Sequence, residues 1–221
     1  MSPECSGRSN PFSSRYVRPG AIPFFFPEDC RVELLLERLE ENGWQGQILG
    51  GHGSGKSALL AHLIPAIHQT GRTTRLYVLH EGAGRLPEPL PQPDPSAPPL
   101  VVLIDGYEQL SRWRRFRLRR LCRQAQWGLV VSAHRSVGLP TLIRLRPDLE
   151  LAQKIVSWLL REYPAVLTPE EVASAYQACQ GNLREMLFWL YDLWERRDRE
   201  TAASLAPHDR VHDDFGGKPS Y

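Results

Sequence analysis

Gly50-Gly51-His52-Gly53-Ser54-Gly55-Lys56-Ser57 is a complete match to the phosphate-binding pattern G-x-x-x-x-G-K-[ST]. Such a loop wraps its backbone N–H groups around the phosphates of a nucleoside triphosphate. Lys56 reaches the β- and γ-phosphates, and the Ser57 hydroxyl is a ligand for Mg²⁺. Glycines are required because a Cβ would block close approach of the main chain and forbid some of the dihedrals. The helix that follows turns its N-terminal dipole toward the anion. Gly50, Gly51, His52, Gly53, Ser54, Gly55, Lys56, Ser57 and Ala58 are therefore the candidate nucleotide contacts. The flanks agree with the motif: Trp44–Leu49 reads as a short strand running in, and Ser57–Ile64 as an apolar helix running out.

Upstream, Arg31–Glu41 is an amphipathic helix with Leu35, Leu36 and Leu39 as its buried stripe, ended by Asn42-Gly43. Downstream, the helix after the loop closes near Gly71, and Thr73–His80 alternates as a second strand. Residues 82–99 hold seven prolines and two glycines, which predicts a loop with freedom to move. Leu100-Val-Val-Leu-Ile-Asp105 is five consecutive aliphatic residues ending in a carboxylate, the pattern of a strand buried on both faces of a parallel sheet. Open α/β sheets bind ligands at the C-terminal ends of their strands, so Asp105 reads as the second nucleotide motif, whose acid holds Mg²⁺. Ser57 and Asp105 are thus the metal candidates.

Leu110–Gln126 reads as a helix, with Gly128–Ser132 and Thr141–Leu145 as further strands. From 149 to 197 the periodicity is wholly helical. Leu149, Ala152, Val156, Leu159 and Leu160 form one stripe. Thr168-Pro-Glu-Glu171 is a capping box with Pro at the first helical position. Asn182 caps the next helix, with Leu183, Met186, Leu187, Leu190 and Trp194 on its buried side. Strands followed by helices imply a sheet domain and then a small helical one. The expected organisation is an N-terminal arm (1–20), a nucleotide-binding α/β domain (21–147), a helical unit (148–197) and a disordered tail (198–221).

With 221 residues and a net charge of +2, the chain is long enough for one large domain with an appendage, and its overall charge argues for no partner. Cys5, Cys30, Cys122 and Cys179 are scattered without a Cys-x-x-Cys pair, which signals neither a zinc site nor a disulfide framework. No signal core or spanning segment is present, so the expectation is a cytoplasmic protein without membrane contact. His208, Asp209, His212, Asp213 and Asp214 read as solvated polar residues of the tail rather than a metal site.

The Asn10-Pro-Phe12 arm, the phosphate loop, the Leu100–Asp105 strand, the polar strand end at Ser132 and Gly181-Asn-Leu-Arg184 in a helical appendage resemble the AAA+ ATPases. The likeness is to the initiator-like and transposition-regulator-like branches or the related signalling NTPases. It implies a P-loop NTPase parallel sheet with flanking helices, an α/β fold, followed by a small all-α lid. By that resemblance Lys56 and Ser57 bind phosphate and Mg²⁺, and Asp105 is the second-motif acid. Ser132, with His134 as substitute, contacts the γ-phosphate or attacking water. Arg184 reaches from the lid to the γ-phosphate, which makes lid position depend on ATP against ADP. Most family members place a catalytic Glu directly after the metal-linked Asp. Here Gly106 follows, and Glu108 is the nearest acid. Glu108 either polarises the attacking water from a displaced position or caps the helix near Leu110.

No acidic residue occurs from Gln109 through Pro147, while that segment carries ten arginines. On a helical wheel Arg112, Arg115, Arg119 and Arg123 share one face, with Leu110, Trp113, Leu118, Leu121 and Ala125 opposite. The basic face can contact DNA or an acidic protein, or be a solvated face paired elsewhere. No aromatic residue interleaves on it, which argues against stacking on single strands. Arg135 is the favoured arginine finger toward a neighbouring subunit in a nucleotide-dependent homo-oligomer. The leading expectation is an ATPase that couples ATP·Mg²⁺ binding and hydrolysis to conformational change and partner contacts. Its rivals are a nucleotide-gated module that does not hydrolyse and a small-molecule or nucleotide kinase, although residues 82–99 supply only Arg85 toward an arginine-rich kinase lid.

Overall fold

Five parallel strands form one sheet in the order β2-β3-β4-β1-β5: β1 (Gln45–Gly50), β2 (Thr73–Val78), β3 (Leu100–Asp105), β4 (Gly128–Ala133) and β5 (Thr141–Leu145). The computed structural model describes residues 9–163 and 166–205. Within them the helices are α1 (Ser14–Val17), α2 (Val32–Glu41), α3 (Lys56–Gln69), α4 (Arg112–Gln124), α5 (Leu149–Leu159), α6 (Pro169–Ala178) and α7 (Leu183–Leu205). None is long and apolar enough to cross a membrane.

The sheet is covered on both faces, and the period-2 geometry of a strand sends successive residues to opposite cores. Val101, Leu103 and Val130 pack with Leu35 and Leu39 of α2 and Leu59, Leu60, Leu63 and Ile67 of α3. Val102, Ile104, Leu129 and Val131 pack on the other side with Leu118 and Cys122 of α4. Each fully buried aliphatic side chain contributes about 1.5–3 kcal/mol relative to exposure. Aliphatic β3 and β4 are therefore held at the sheet centre, and their polar C-terminal ends emerge on one edge beside the end of β1.

A third core joins α5, α6 and α7 through Ala152, Val156, Leu159, Val172, Met186, Leu190 and Trp194. The caps read from the sequence are in place. Thr168 Oγ1 accepts from Glu171 N while Glu171 accepts from Thr168 N. Asn182 Oδ1 accepts from the backbone N–H groups of Arg184 and Glu185. The described part of the arm docks on this helical unit. Phe12 is buried against Trp194, with ring centroids 6.4 Å apart. Asn10 Nδ2 donates to Tyr191 O and Glu195 Oε1.

Two segments differ from the sequence expectation. α7 runs on to Leu205, past position 197. Residues 1–8 of the arm and 206–221 of the tail, with His208, Asp209, His212, Asp213 and Asp214, lie outside the described residues. The proline-rich stretch is irregular but tied down: Leu86 and Leu90 pack on the α4-side core, Glu88 pairs with Arg75, and Pro89 O accepts from Tyr77 Oη. Edge strand β2 itself stays largely exposed, with Tyr77 its one buried residue.

Candidate functional site

β1 delivers the loop, and α3 begins at Lys56 after Gly55 adopts the left-handed conformation. Lys56 Nζ donates to Gly50 O at 2.9 Å and Gly51 O at 2.6 Å, and Ser54 Oγ closes the turn onto Gly51 O. Burial pulls the Lys56 ammonium below its ordinary pKa. The Glu108 and Asp105 carboxylates oppose that shift, and Arg184 adds to it. Those four charges, singled out separately along the sequence, thus converge on one site.

Asp105 is held from two sides. Its Oδ2 accepts from Ser57 Oγ at 2.6 Å, and its Oδ1 accepts from Ser132 Oγ. Ser132 is fully buried and also accepts from Gly106 N at 2.9 Å. The Ser57 hydroxyl and Asp105 carboxylate are adjacent hard oxygen donors, a set that suits Mg²⁺. Ser132 positions Asp105 and the backbone beyond it. His134, just past β4, is the group that faces Lys56 and Glu108.

The replacement of the usual Glu by Gly106 has a local cause. Gly106 sits at φ +78°, and a Cβ there would lie 2.6 Å from Leu79 O. No side chain fits that position. The chain instead makes a 3₁₀ turn over Tyr107–Gln109 and presents Glu108. Glu108 Oε1 lies 3.1 Å from His134 Nε2, and Glu108 Oε2 is buried without a hydrogen-bond partner among the described residues. The His52 ring rests on His134 at 3.9 Å between centroids. The pairing of His134 with Glu108 has no signature in sequence, because it arises only when β4 and the turn after β3 meet.

The helical unit meets the loop directly. A Cβ on Gly53 would lie 1.7 Å from Asn182 Oδ1 and 3.0 Å from Arg184 N, so the phosphate loop and the start of α7 touch at van der Waals distance. Between them is a cavity of about 670 Å³ lined by Gly53–Ala58, by Arg184 and Leu187 of α7, and by the segment Ile22–Phe26 that follows the arm. Its size is that of a small-molecule site. The wall formed by Ile22–Phe26 has a sequence signal that the site reading did not use: an apolar run broken only by Pro23. Arg135 is exposed and lies away from the cavity lining.

The basic helix is rotated relative to the expected wheel. Arg115 Nε donates to Leu110 O and its Nη2 to Glu108 O, both at 2.7 Å. Arg119 donates to Tyr107 Oη, Gly138 O and Val137 O. These two arginines are half-buried, and their hydrogen bonds tie down the Glu108 turn and the loop after β4. Trp113 and Phe116 face solvent instead, 64% and 63% exposed. The wheel set Arg112, Arg115, Arg119 and Arg123 on the solvent side and Trp113 on the buried side, and left Phe116 unassigned. Backbone carbonyls that end the neighbouring loops draw Arg115 and Arg119 partly inward.

No protein-family model and no curated protein matches the sequence. Among solved structures, AMPPCP-bound DnaA from Aquifex aeolicus superposes with a TM-score of 0.50 at 16% identity, over 89% of this chain and 76% of that one. A point mutant of RuvB from Thermotoga maritima superposes with a TM-score of 0.52 at 20% identity, over 78% of this chain and 62% of that one. At such identities the likeness is one of fold. The sheet order, the loop after β1, the acid ending β3 and the helical unit closing over the loop place this chain in the fold of the AAA+ P-loop ATPases.

Proposed function

We propose that the chain binds ATP·Mg²⁺ in the cavity between the sheet and α7 and hydrolyses it slowly, with α7 as the element that reports occupancy. The observation that carries this reading is that Lys56, Ser57 and Arg184 line one cavity, with Asp105 hydrogen-bonded to Ser57 beside it. Lys56 would leave its loop carbonyls for the β- and γ-phosphates. Ser57 and Asp105 would hold Mg²⁺, which supplies charge neutralisation on the phosphates. Arg184 would pair with the γ-phosphate, and losing that charge on hydrolysis would release α7. Glu108 Oε2 is the acceptor for the proton of the attacking water.

A second reading, binding without turnover, is favoured by one specific feature: Glu108 is engaged by His134 rather than free. Titration with a fluorescent ATP analogue and Mg²⁺, beside phosphate release, separates the outcomes. Saturable binding lost in Lys56→Ala, with measurable release, supports the ATPase. Binding without release supports the switch, and absence of binding overturns both. Sedimentation with ATP and ADP in the same preparations reads nucleotide-dependent assembly.

A further inference from the structure

The outward face of α4 is an unusual surface. Residues three, four and seven apart share a helix face. That spacing brings Arg112, Trp113, Phe116, Arg117, Arg120 and Arg123 together, all exposed. Helices normally bury such rings. Here the buried side is already filled by Leu118 and Cys122 with the half-buried arginines. The Arg117 guanidinium stacks 4.7 Å from the Trp113 ring centroid. Phe116, Arg120 and Arg123 line a shallow depression with Arg119. Among the described residues, no ion pair involves Arg112, Arg117, Arg120 or Arg123.

We propose that this face binds single-stranded nucleic acid, with the arginines on phosphates and Trp113 and Phe116 stacking on successive bases. Adjacent guanidinium groups without counter-charges call for a polyanion, and arginine's planar fork suits phosphate. Two exposed rings among them call for flat π-faces that a duplex keeps inside its stack. Trp113 and Phe116 are three residues apart and so share a helix face, where one bound strand can reach both rings. A purely acidic polymer would satisfy the arginines and leave both rings uncovered. A second copy packed symmetrically would set the same arginines against each other. The face lies outside the nucleotide cavity, so the inference stands independently of ATP binding.

Fluorescence anisotropy of the full chain with labelled oligothymidylate, a duplex of equal length and polyglutamate as competitor tests it. The expected result is single-strand binding that Trp113→Ala or Phe116→Ala each weakens about tenfold, the loss of one stacked base. A log–log salt slope of about −3 is expected for four phosphate contacts, and Arg117→Ala or Arg120→Ala should make it shallower. Lys56→Ala should leave oligonucleotide affinity unchanged, which separates this surface from the phosphate loop. The inference is overturned by absence of saturable single-strand binding, by equal duplex affinity that ignores both ring substitutions, or by equally effective competition from polyglutamate. It is equally overturned if both ring variants abolish self-association while no oligonucleotide binds.

Discussion

His134 Nε2 lies 3.1 Å from Glu108 Oε1, and the same ring's Nδ1 lies 3.1 Å from Gly50 O. One imidazole thereby links the strand end before the phosphate loop to the acid displaced by Gly106. With both nitrogens engaged, its ring plane is fixed, and so is the direction of Glu108 Oε2. If that oxygen accepts the proton of the attacking water, Glu108→Gln should lower single-turnover phosphate release by about 100-fold or more, the lower range for a general base. ATP affinity should stay within a fewfold of wild type. His134→Ala should lower the rate less, because it frees the carboxylate without removing it. Unchanged release in Glu108→Gln would assign Glu108 to structure alone.

Arg184 and Asn182 carry a separate expectation. Asn182 abuts Gly53, so the start of α7 cannot shift without disturbing the loop. A charge-assisted hydrogen bond is worth about 1.5–3 kcal/mol. Arg184→Ala should therefore remove roughly a tenfold or greater preference for ATP over ADP, while ADP affinity stays nearly unchanged. Parallel titrations with the two nucleotides measure it. Equal losses for both nucleotides would mean that Arg184 does not read the γ-phosphate.

Much of this architecture is legible in the chain because local rules and tertiary demands coincide. The aliphatic run Leu100–Ile104 can be satisfied only between two covered faces, and Thr168 with Glu171 closes a cap whatever packs against it. The loop, Asp105 and Arg184 were readable as types and spacings. What escaped depends on contacts between distant segments. His134 meets Glu108 only through the β3–β4 pairing. Arg115 and Arg119 turn partly inward because carbonyls of Leu110, Glu108 and Val137 lie there, and no periodicity records that. Gly106 reads as a missing catalytic acid in sequence; in the fold, Leu79 O accounts for it.

Phe12 tests whether the arm belongs to the lid. It is buried among Trp194 and its neighbours, and Asn10 Oδ1 accepts from its backbone N–H at 2.9 Å. Truncating a buried Phe costs about 3–5 kcal/mol. Phe12→Ala should lower stability by about that amount, with the loss reported by Trp194, whose ring it meets edge-on. Because Ser14, Val17, Arg18 and Pro19 of the same arm line the cavity, nucleotide affinity should fall as well. A change below about 1 kcal/mol would place it among ordinary surface substitutions and detach the arm from the lid core.

Glu171 gives the lid a pH dependence of definite sign. Its hydrogen bond from Arg197 comes first among the causes that hold its carboxyl below the ordinary value of 4.5, followed by the Thr168 backbone N–H. Arg197 also donates to Val166 O at 2.6 Å, anchoring the guanidinium between α6 and α7. A depressed folded pKa means that the unfolded chain binds the proton more readily, so stability rises with pH through this window. The contribution is fully present above 4.5 and is lost as pH falls through the lower folded value. Both side chains are partly exposed, at 28% for Glu171 and 37% for Arg197, so screening limits the pair to at most about 1 kcal/mol. Glu171→Gln keeps the capping geometry and removes the charge. The gap in thermal midpoint between wild type and this variant should therefore be constant from neutral pH down to about 5 and close below 4.5. A gap that persists undiminished at pH well below that range would trace the difference to the cap rather than to the Arg197 pair.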